Sequence, residues 1–133
     1  MVNAESTVDR SQKRKDFIAF LSAAHDLHRV RLPDGFVHQM LPPIRCKDGF
    51  TISVQASQIH YCSPKSNSAE WTHFEVGYPS SEEPLLAPYI LIESDDGDVV
   101  DYTESVYPNT PIDILIDVLE RHGGVDGIDK VHF

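Results

Sequence analysis

Apolar side chains recur at helical spacing near the start of the chain. Intervals of three and four residues join Phe17, Phe20, Leu21, Ala24 and Leu27. This stripe predicts an amphipathic helix over residues 13–29, ended by the Pro-Asp-Gly turn at residues 33–35. Residues 1–12 are polar and aperiodic, and we expect them to form a flexible N-terminal arm. His25 and His28, in the last helical turn, are expected on a surface or at an interface.

The middle of the chain alternates between apolar and polar positions, which is typical of a strand with one buried face. In residues 50–57, FTISVQAS, every second side chain is apolar. The preceding Asp48-Gly49 pair predicts a two-residue hairpin turn, because both turn positions favour residues that tolerate positive φ. Such a turn sets Cys46 opposite Thr51.

A second alternating run covers residues 71–78, WTHFEVGY. It predicts another strand, which Pro79 ends. In residues 80–110, prolines interrupt the apolar stretch PLLAPYILIES, and we expect a short helix or strand there. The acidic, turn-rich stretch SDDGDVVDYTESVYPN predicts a long surface connection.

A second amphipathic helix is predicted near the end of the chain. Thr110 supplies a capping hydroxyl, Pro111 suits the first helical position, and Asp113 adds an acid in the first turn. The apolar face comprises Ile112, Leu115, Ile116 and Leu119. The pair Gly123-Gly124 predicts the point at which this helix stops.

These elements predict an α+β fold, with an N-terminal and a C-terminal helix packed on one face of a three- to four-stranded antiparallel sheet. A chain of 133 residues is the length of one domain, and we assign residues 13–133 to it. No apolar run is long enough to span a membrane, and the first residues lack the apolar core of a secretory signal. We therefore expect the protein in a cytoplasm, with no membrane partner.

The charge of the chain is strongly negative and unevenly placed. The formal net charge is −10. Residues 1–50 hold eight Lys/Arg and six Asp/Glu, whereas residues 51–133 hold three Lys/Arg and fifteen Asp/Glu. Such a field repels phosphates, so direct binding of nucleic acid is not expected. A partner with a basic surface is the natural complement, although acidic surfaces also serve to keep proteins in solution.

Seven carboxylates form a candidate partner-binding ridge. They are Asp96, Asp98, Asp101, Glu104, Asp113, Asp117 and Glu120. The last three lie at positions i, i+4 and i+7 of the predicted second helix, opposite its apolar face. Carboxylates spaced along a rigid helix can imitate phosphates, but the same pattern is typical of an ordinary solvated face.

Two cysteines and two histidines are the best metal candidates. They are Cys46, His60, Cys62 and His73. Zinc needs converging nitrogen or sulfur ligands, and His60 and Cys62 point to one face if both lie on a strand. The chain has no Cys-x-x-Cys pair, however. We therefore favour no metal and no cofactor, with both cysteines as small buried apolar residues, and a Cys46–Cys62 disulfide as a further alternative.

Motifs for catalysis and nucleotide binding are missing from the sequence. A cysteine hydrolase needs a base and an oxyanion hole beside the thiol, yet Cys62 is followed by Ser63-Pro64 and not by a glycine-rich elbow. The chain contains neither a P-loop nor a dinucleotide fingerprint. The acidic stretch at residues 93–101 fails the calcium-loop pattern. These observations favour a non-enzymatic protein.

Three blocks of the sequence resemble a family of small, uncharacterised tailed-bacteriophage and prophage proteins. The blocks read RCKDGFTISVQASQIHYCSP, WTHFEVGYPS and TESVYPNTPIDILIDVLERHGG, and the resemblance covers residues 44–124. The chain departs from the family pattern at Lys65, where arginine is expected, and in its longer N-terminal helix. The resemblance implies a phage origin and expression in the cytoplasm of an infected bacterial host.

Charge and resemblance together predict a protein that binds a host or defence protein through a basic surface on that partner. The most specific form of this hypothesis is inhibition of a nucleic-acid-handling complex, such as a CRISPR effector or a restriction enzyme. One alternative is a phage structural or assembly protein, including a homo-oligomer formed through its sheet edge or N-terminal helix. Another is a small zinc-binding protein.

Overall fold

A computed structural model describes residues 4–28, 30–31, 33, 37–38, 40–57, 59–66, 70–92 and 100–128. The helices are α1 (Ala4–His28), α2 (Ile112–Arg121) and the short 3-10 helices η1 (Ala87–Tyr89) and η2 (Tyr102–Glu104). The strands are β1 (Val30–Arg31), β2 (Val37–His38), β3 (Ile44–Cys46), β4 (Thr51–Gln55), β5 (His73–Gly77), β6 (Val106–Pro111) and β7 (Val125–Ile128). Within these ranges no helix combines the length and the apolar character that crossing a bilayer requires.

The main sheet has five antiparallel strands in the order β6-β5-β4-β3-β7, and β1 pairs with β2 in a separate small sheet. The α+β prediction is confirmed, but the main sheet has more strands than the three or four expected. Both additional strands lie at its edges. Strand β6 was not predicted because it contains Pro108 and Pro111, which usually argue against a strand. Prolines are tolerated on an edge strand because one side of it needs no ladder hydrogen bonds.

The hairpin between β3 and β4 differs from the prediction by one residue. Ile44 pairs with Ile52 and Arg45 with Thr51, and the Gly49 amide donates to the Cys46 carbonyl at 3.0 Å. The loop therefore has three residues, with Gly49 at φ +96° as its left-handed position. The predicted register would have turned Ile44 and Ile52 to opposite faces of the sheet, and burial of both side chains excludes it.

One face of the sheet forms the core together with both helices. From the sheet the core receives Ile44, Cys46, Ile52, Val54, Phe74, Val76 and Tyr107. Phe17 of α1 meets Phe74 of β5 edge to face, with ring centroids 5.4 Å apart. The predicted apolar face of α2 is buried as expected, and Val118 joins it.

Helix α1 begins at Ala4, so residues 4–12 are helical and do not form the arm that the aperiodic sequence suggested. Of the apolar stripe predicted for this helix, Phe17, Leu21 and Ala24 are buried, whereas Leu27 is 81% exposed. His25 is buried against Trp71, with ring centroids 5.2 Å apart, and this corrects the expectation of a surface position. The side chain of His28 lies outside the described part of the chain.

The start of α2 also differs in detail from the prediction. The Thr110 hydroxyl does not cap the helix but donates to the Tyr107 carbonyl at 2.9 Å, and Pro111 occupies the cap position without a side-chain hydrogen bond. The predicted end is confirmed. Gly123 and Gly124 both adopt φ +88°, and the Gly124 amide donates to the Leu119 carbonyl at 2.9 Å.

Candidate functional site: the charged surfaces

The three ridge carboxylates on α2 are engaged by basic side chains of α1. Arg14 binds Asp113 through two nitrogens, at 2.7 and 2.6 Å. Arg10 binds Asp117 at 3.0 Å, and Lys13 approaches Glu120 to 2.6 Å. These three acids of the candidate ridge therefore already have cationic partners within the chain.

Three of these groups, Arg10, Arg14 and Asp113, have pKa values shifted in the direction that favours their charged forms. The hydrogen bond from Arg14 is the main cause that lowers the pKa of Asp113. The hydrogen bond to Asp117 raises the pKa of Arg10, and the bond to Asp113 raises that of Arg14. The charged forms therefore stabilise one another across the α1–α2 contact.

The remaining ridge residues that the structure describes are Asp101 and Glu104, next to and within η2. The Asp101 carboxylate caps η2 by accepting from the Thr103 amide at 3.0 Å and from its hydroxyl at 2.6 Å, which lowers the pKa of Asp101. Asp101 and Glu104 are exposed, and neither forms an ion pair with a described residue. Asp96 and Asp98 lie outside the described residues.

Glu82, which the ridge did not include, belongs to the same region. Burial is the main cause that raises the pKa of Tyr107 to about 12, and the charges of Tyr102, Glu82 and Asp101 raise it further. Both carboxylates therefore lie within electrostatic range of the same phenol. Glu82 is exposed and, like Asp101, has no ion-pair partner within the described ranges.

Residues with exposed apolar side chains lie next to the start of β6, which directly follows η2. The Tyr78 amide donates to the Ser105 carbonyl at 3.0 Å, and the Leu91 amide donates to the Val106 carbonyl at 2.9 Å. Tyr78, Leu91 and Ile92 are 58%, 40% and 59% exposed. We refer to the following set as the acidic-apolar surface: Tyr78, Glu82, Leu91, Ile92, Asp101 and Glu104. Sequence reasoning missed its apolar members because only the folded chain brings β5, β6 and η2 together.

The four metal candidates do not converge on one point. Cys46 lies beside Phe50, at the start of β4, whereas Cys62 bonds to the carbonyl of Ser57, beyond the end of that strand. The five extended residues of β4 lie between these points and span roughly 15 Å. His60 bonds to the Ser57 hydroxyl at 2.5 Å. The geometry therefore does not support the zinc-protein alternative.

Both cysteines are buried free thiols. Burial raises the pKa of Cys46 to about 11, and burial is also the main cause that raises the pKa of Cys62. Metal ligation and nucleophilic attack both need the thiolate, and these environments favour the protonated thiol. Within the described ranges no group of three or more histidine, cysteine or acidic residues is placed to hold a metal ion.

A charged cluster around His122 was not predicted from the sequence. Its Nδ1 lies 2.7 Å from Asp48 Oδ2, and its Nε2 lies 3.1 Å from Glu83 Oε2. Arg121 contacts the other oxygen of the buried Glu83 at 3.2 Å, and Phe50 stacks on the imidazole at 3.8 Å. The cluster joins three segments of the chain, and both ring nitrogens of His122 are occupied. These three segments lie far apart in the sequence, so no local sequence pattern indicated the cluster.

The outer edge of β6 is partly covered by other segments. Leu91 bonds to Val106, and the Asn109 amide donates to the Tyr61 carbonyl at 3.0 Å. Pro108 and Pro111 offer no amide hydrogen on this strand. This edge, one of the two edges of the sheet, is therefore poorly suited to pairing with a strand of a second copy.

Comparison with known proteins gives no relative for this chain: no protein-family profile, curated protein or solved structure matches it.

Proposed function

We propose that this chain is a non-enzymatic acidic protein that binds a basic surface of a host or defence protein. The observation that carries the proposal is the acidic-apolar surface, where Glu82, Asp101 and Glu104 remain without an ion-pair partner among the described residues. Protein interfaces commonly have an apolar centre with a polar rim. Tyr78, Leu91 and Ile92 supply such a centre, and the carboxylates supply the rim.

The resemblance to phage proteins suggests where the partner is found. A phage protein made in the cytoplasm of an infected bacterium meets host and defence proteins there. Complexes that handle nucleic acid present basic grooves, and an acidic surface complements such a groove without contacting nucleic acid itself. Inhibition of a CRISPR effector or a restriction enzyme is the most specific form of the proposal.

The environments of the cysteine thiols and of two histidine rings support a binding role over a catalytic one. The candidate nucleophiles Cys46 and Cys62 are buried and have raised pKa values. The imidazoles of His60 and His122 are engaged, by Ser57 and by two carboxylates respectively. None of these groups combines an accessible nucleophile with a free base.

The test is affinity capture from a bacterial host lysate, with mass spectrometry of the retained proteins. The wild-type chain is compared with the surface variant Glu82→Gln/Glu104→Gln. The matched control is Asp16→Asn/Glu70→Gln, which removes two exposed acids elsewhere and changes the net charge equally. We expect one partner that the wild type and the control retain and the surface variant loses.

Salt provides the second readout of the same experiment. A charge-driven complex should weaken steeply as ionic strength rises from about 0.05 to 0.5 M. The proposal is contradicted if every retained protein binds both variants equally, or if binding is unchanged across the salt range.

A further inference from the structure

Two parts of helix α1 are held to the rest of the protein by different forces. Residues 10–16, RSQKRKD, contain no apolar side chain, and we call them the basic segment. From Phe17 onward the helix is anchored by the buried side chains of Phe17, Leu21 and Ala24. The contacts that attach α1 to the rest of the protein therefore change from ion pairs to apolar burial within one continuous helix.

The basic segment meets α2 through charged groups. Its contacts are the bidentate Arg14–Asp113 pair and the pairs Arg10–Asp117 and Lys13–Glu120, with distances from 2.6 to 3.0 Å. All of these side chains are one third to one half exposed. Ions in solution therefore reach the pairs, and salt screens such contacts far more than it weakens apolar burial.

The anchored part behaves differently because water does not reach its contacts. Phe17 packs edge to face on Phe74, and Leu21 has no exposed surface. Added salt does not weaken burial of this kind. Residues 4–16 form the end of a continuous helix. Because most helical stability in proteins comes from tertiary packing, this end should fray more once the basic segment has undocked.

We propose that the basic segment is an electrostatic latch on α2. At low ionic strength it pairs with Asp113, Asp117 and Glu120 and partly covers them. When salt or a competing cationic surface screens the pairs, the segment is released and these carboxylates lose their cationic partners, while the helix from Phe17 onward stays docked. The latch is independent of the proposed function, because the acidic-apolar surface contains none of its residues.

Amide hydrogen exchange on the full chain tests the latch. Rates are compared in about 0.02 and about 1 M sodium chloride and corrected for intrinsic exchange. We expect exchange in residues 10–16 to accelerate about tenfold or more, as screening of several surface pairs implies. Residues 17–28 should change much less. Equal acceleration of both parts, or no acceleration of the basic segment, overturns the proposal.

Charge variants separate the latch from general fraying of the helix. Arg14→Glu should open the basic segment at low salt. Lys15→Glu is the matched control, since Lys15 is exposed and forms no ion pair with a described residue. If Lys15→Glu opens the segment as much as Arg14→Glu, the latch is wrong.

A charge exchange provides the positive control. In Arg14→Glu/Asp113→Arg the pair is restored with its signs reversed. It is compared with Asp113→Arg alone, so that the unfavourable cation in the first turn of α2 is common to both. We expect slower exchange in the basic segment of the double variant than in the single variant, and equal exchange contradicts the direct Arg14–Asp113 contact.

Discussion

Asp48, in the turn between β3 and β4, shows how one residue joins local and distant structure. Its carboxylate accepts the Phe50 amide at 2.9 Å and contacts His122 at 2.7 Å. The hydrogen bond from the Phe50 amide is the main cause that holds the pKa of Asp48 below its ordinary range, and the contact with His122 is the next. The turn itself was predictable from Asp48-Gly49. The contact with a residue 74 positions away was not.

The lowered pKa of Asp48 predicts a contribution to stability that acid removes. A carboxylate favoured in the folded state stabilises it fully above the unfolded pKa, which is about 3.9 for aspartate. That contribution disappears as the pH falls through the lowered folded value. NMR titration of the carboxyl carbon should place its midpoint below the ordinary value.

The variant His122→Gln separates the two causes of this shift. It removes the imidazole but leaves the hydrogen bond from the Phe50 amide. We expect the midpoint of Asp48 to rise only part of the way towards its ordinary value. An Asp48 midpoint at the ordinary value in the wild-type protein would show that neither contact favours the charged carboxylate.

At the scale of the elements, the two long helices were predictable to different degrees. The four apolar positions predicted for α2 are all buried, because a short helix between a strand and a Gly-Gly stop offers one face to the sheet. The stripe of α1 predicted equal roles for Leu21 and Leu27, yet they differ completely in burial. Periodicity identifies a face of a helix but not how far the core extends beneath it.

The pair Leu21 and Leu27 provides a matched test of that difference. Leu21→Ala removes a fully buried side chain and should lower the free energy of unfolding by about 2–5 kcal/mol. Leu27→Ala makes the same chemical change at an 81% exposed position and should alter it by less than about 0.5 kcal/mol. Urea denaturation measures both. Similar losses would mean that the last turn of α1 packs as tightly as its middle.

At the scale of the molecule, the net charge of −10 is not spread evenly, because some carboxylates are paired with basic residues of the same chain. Three basic residues of α1 engage three acids of α2, and Arg45 engages Asp126 at 3.2 Å. The excess of negative charge therefore concentrates elsewhere, including at the acidic-apolar surface. Composition predicted the sign of the molecular field, but the folded arrangement decided which carboxylates contribute to it.

The two buried thiols test whether the predicted single domain unfolds as one unit. Cys46 and Cys62 lie near opposite ends of β4. In a cooperative domain both thiols are exposed by the same global opening. Iodoacetamide should then modify them at rates within about twofold of each other, after correction for their reactivities in the unfolded chain. Mass spectrometry of peptides measures the two rates, and a much faster reaction at one thiol would reveal separate opening of that end of the sheet.

Sequence patterns were enough to predict the fold class, the two amphipathic helices, strands β4 and β5, and the sign of the charge. These follow from periodicity and from local turn chemistry, which act over a few neighbouring residues. The folded chain was needed to establish the hairpin register, the edge strands, the His122 cluster and the pairing of Arg10, Lys13 and Arg14 with the acids of α2. Each of these depends on contacts between residues distant in the chain, and such contacts leave no local pattern in the sequence.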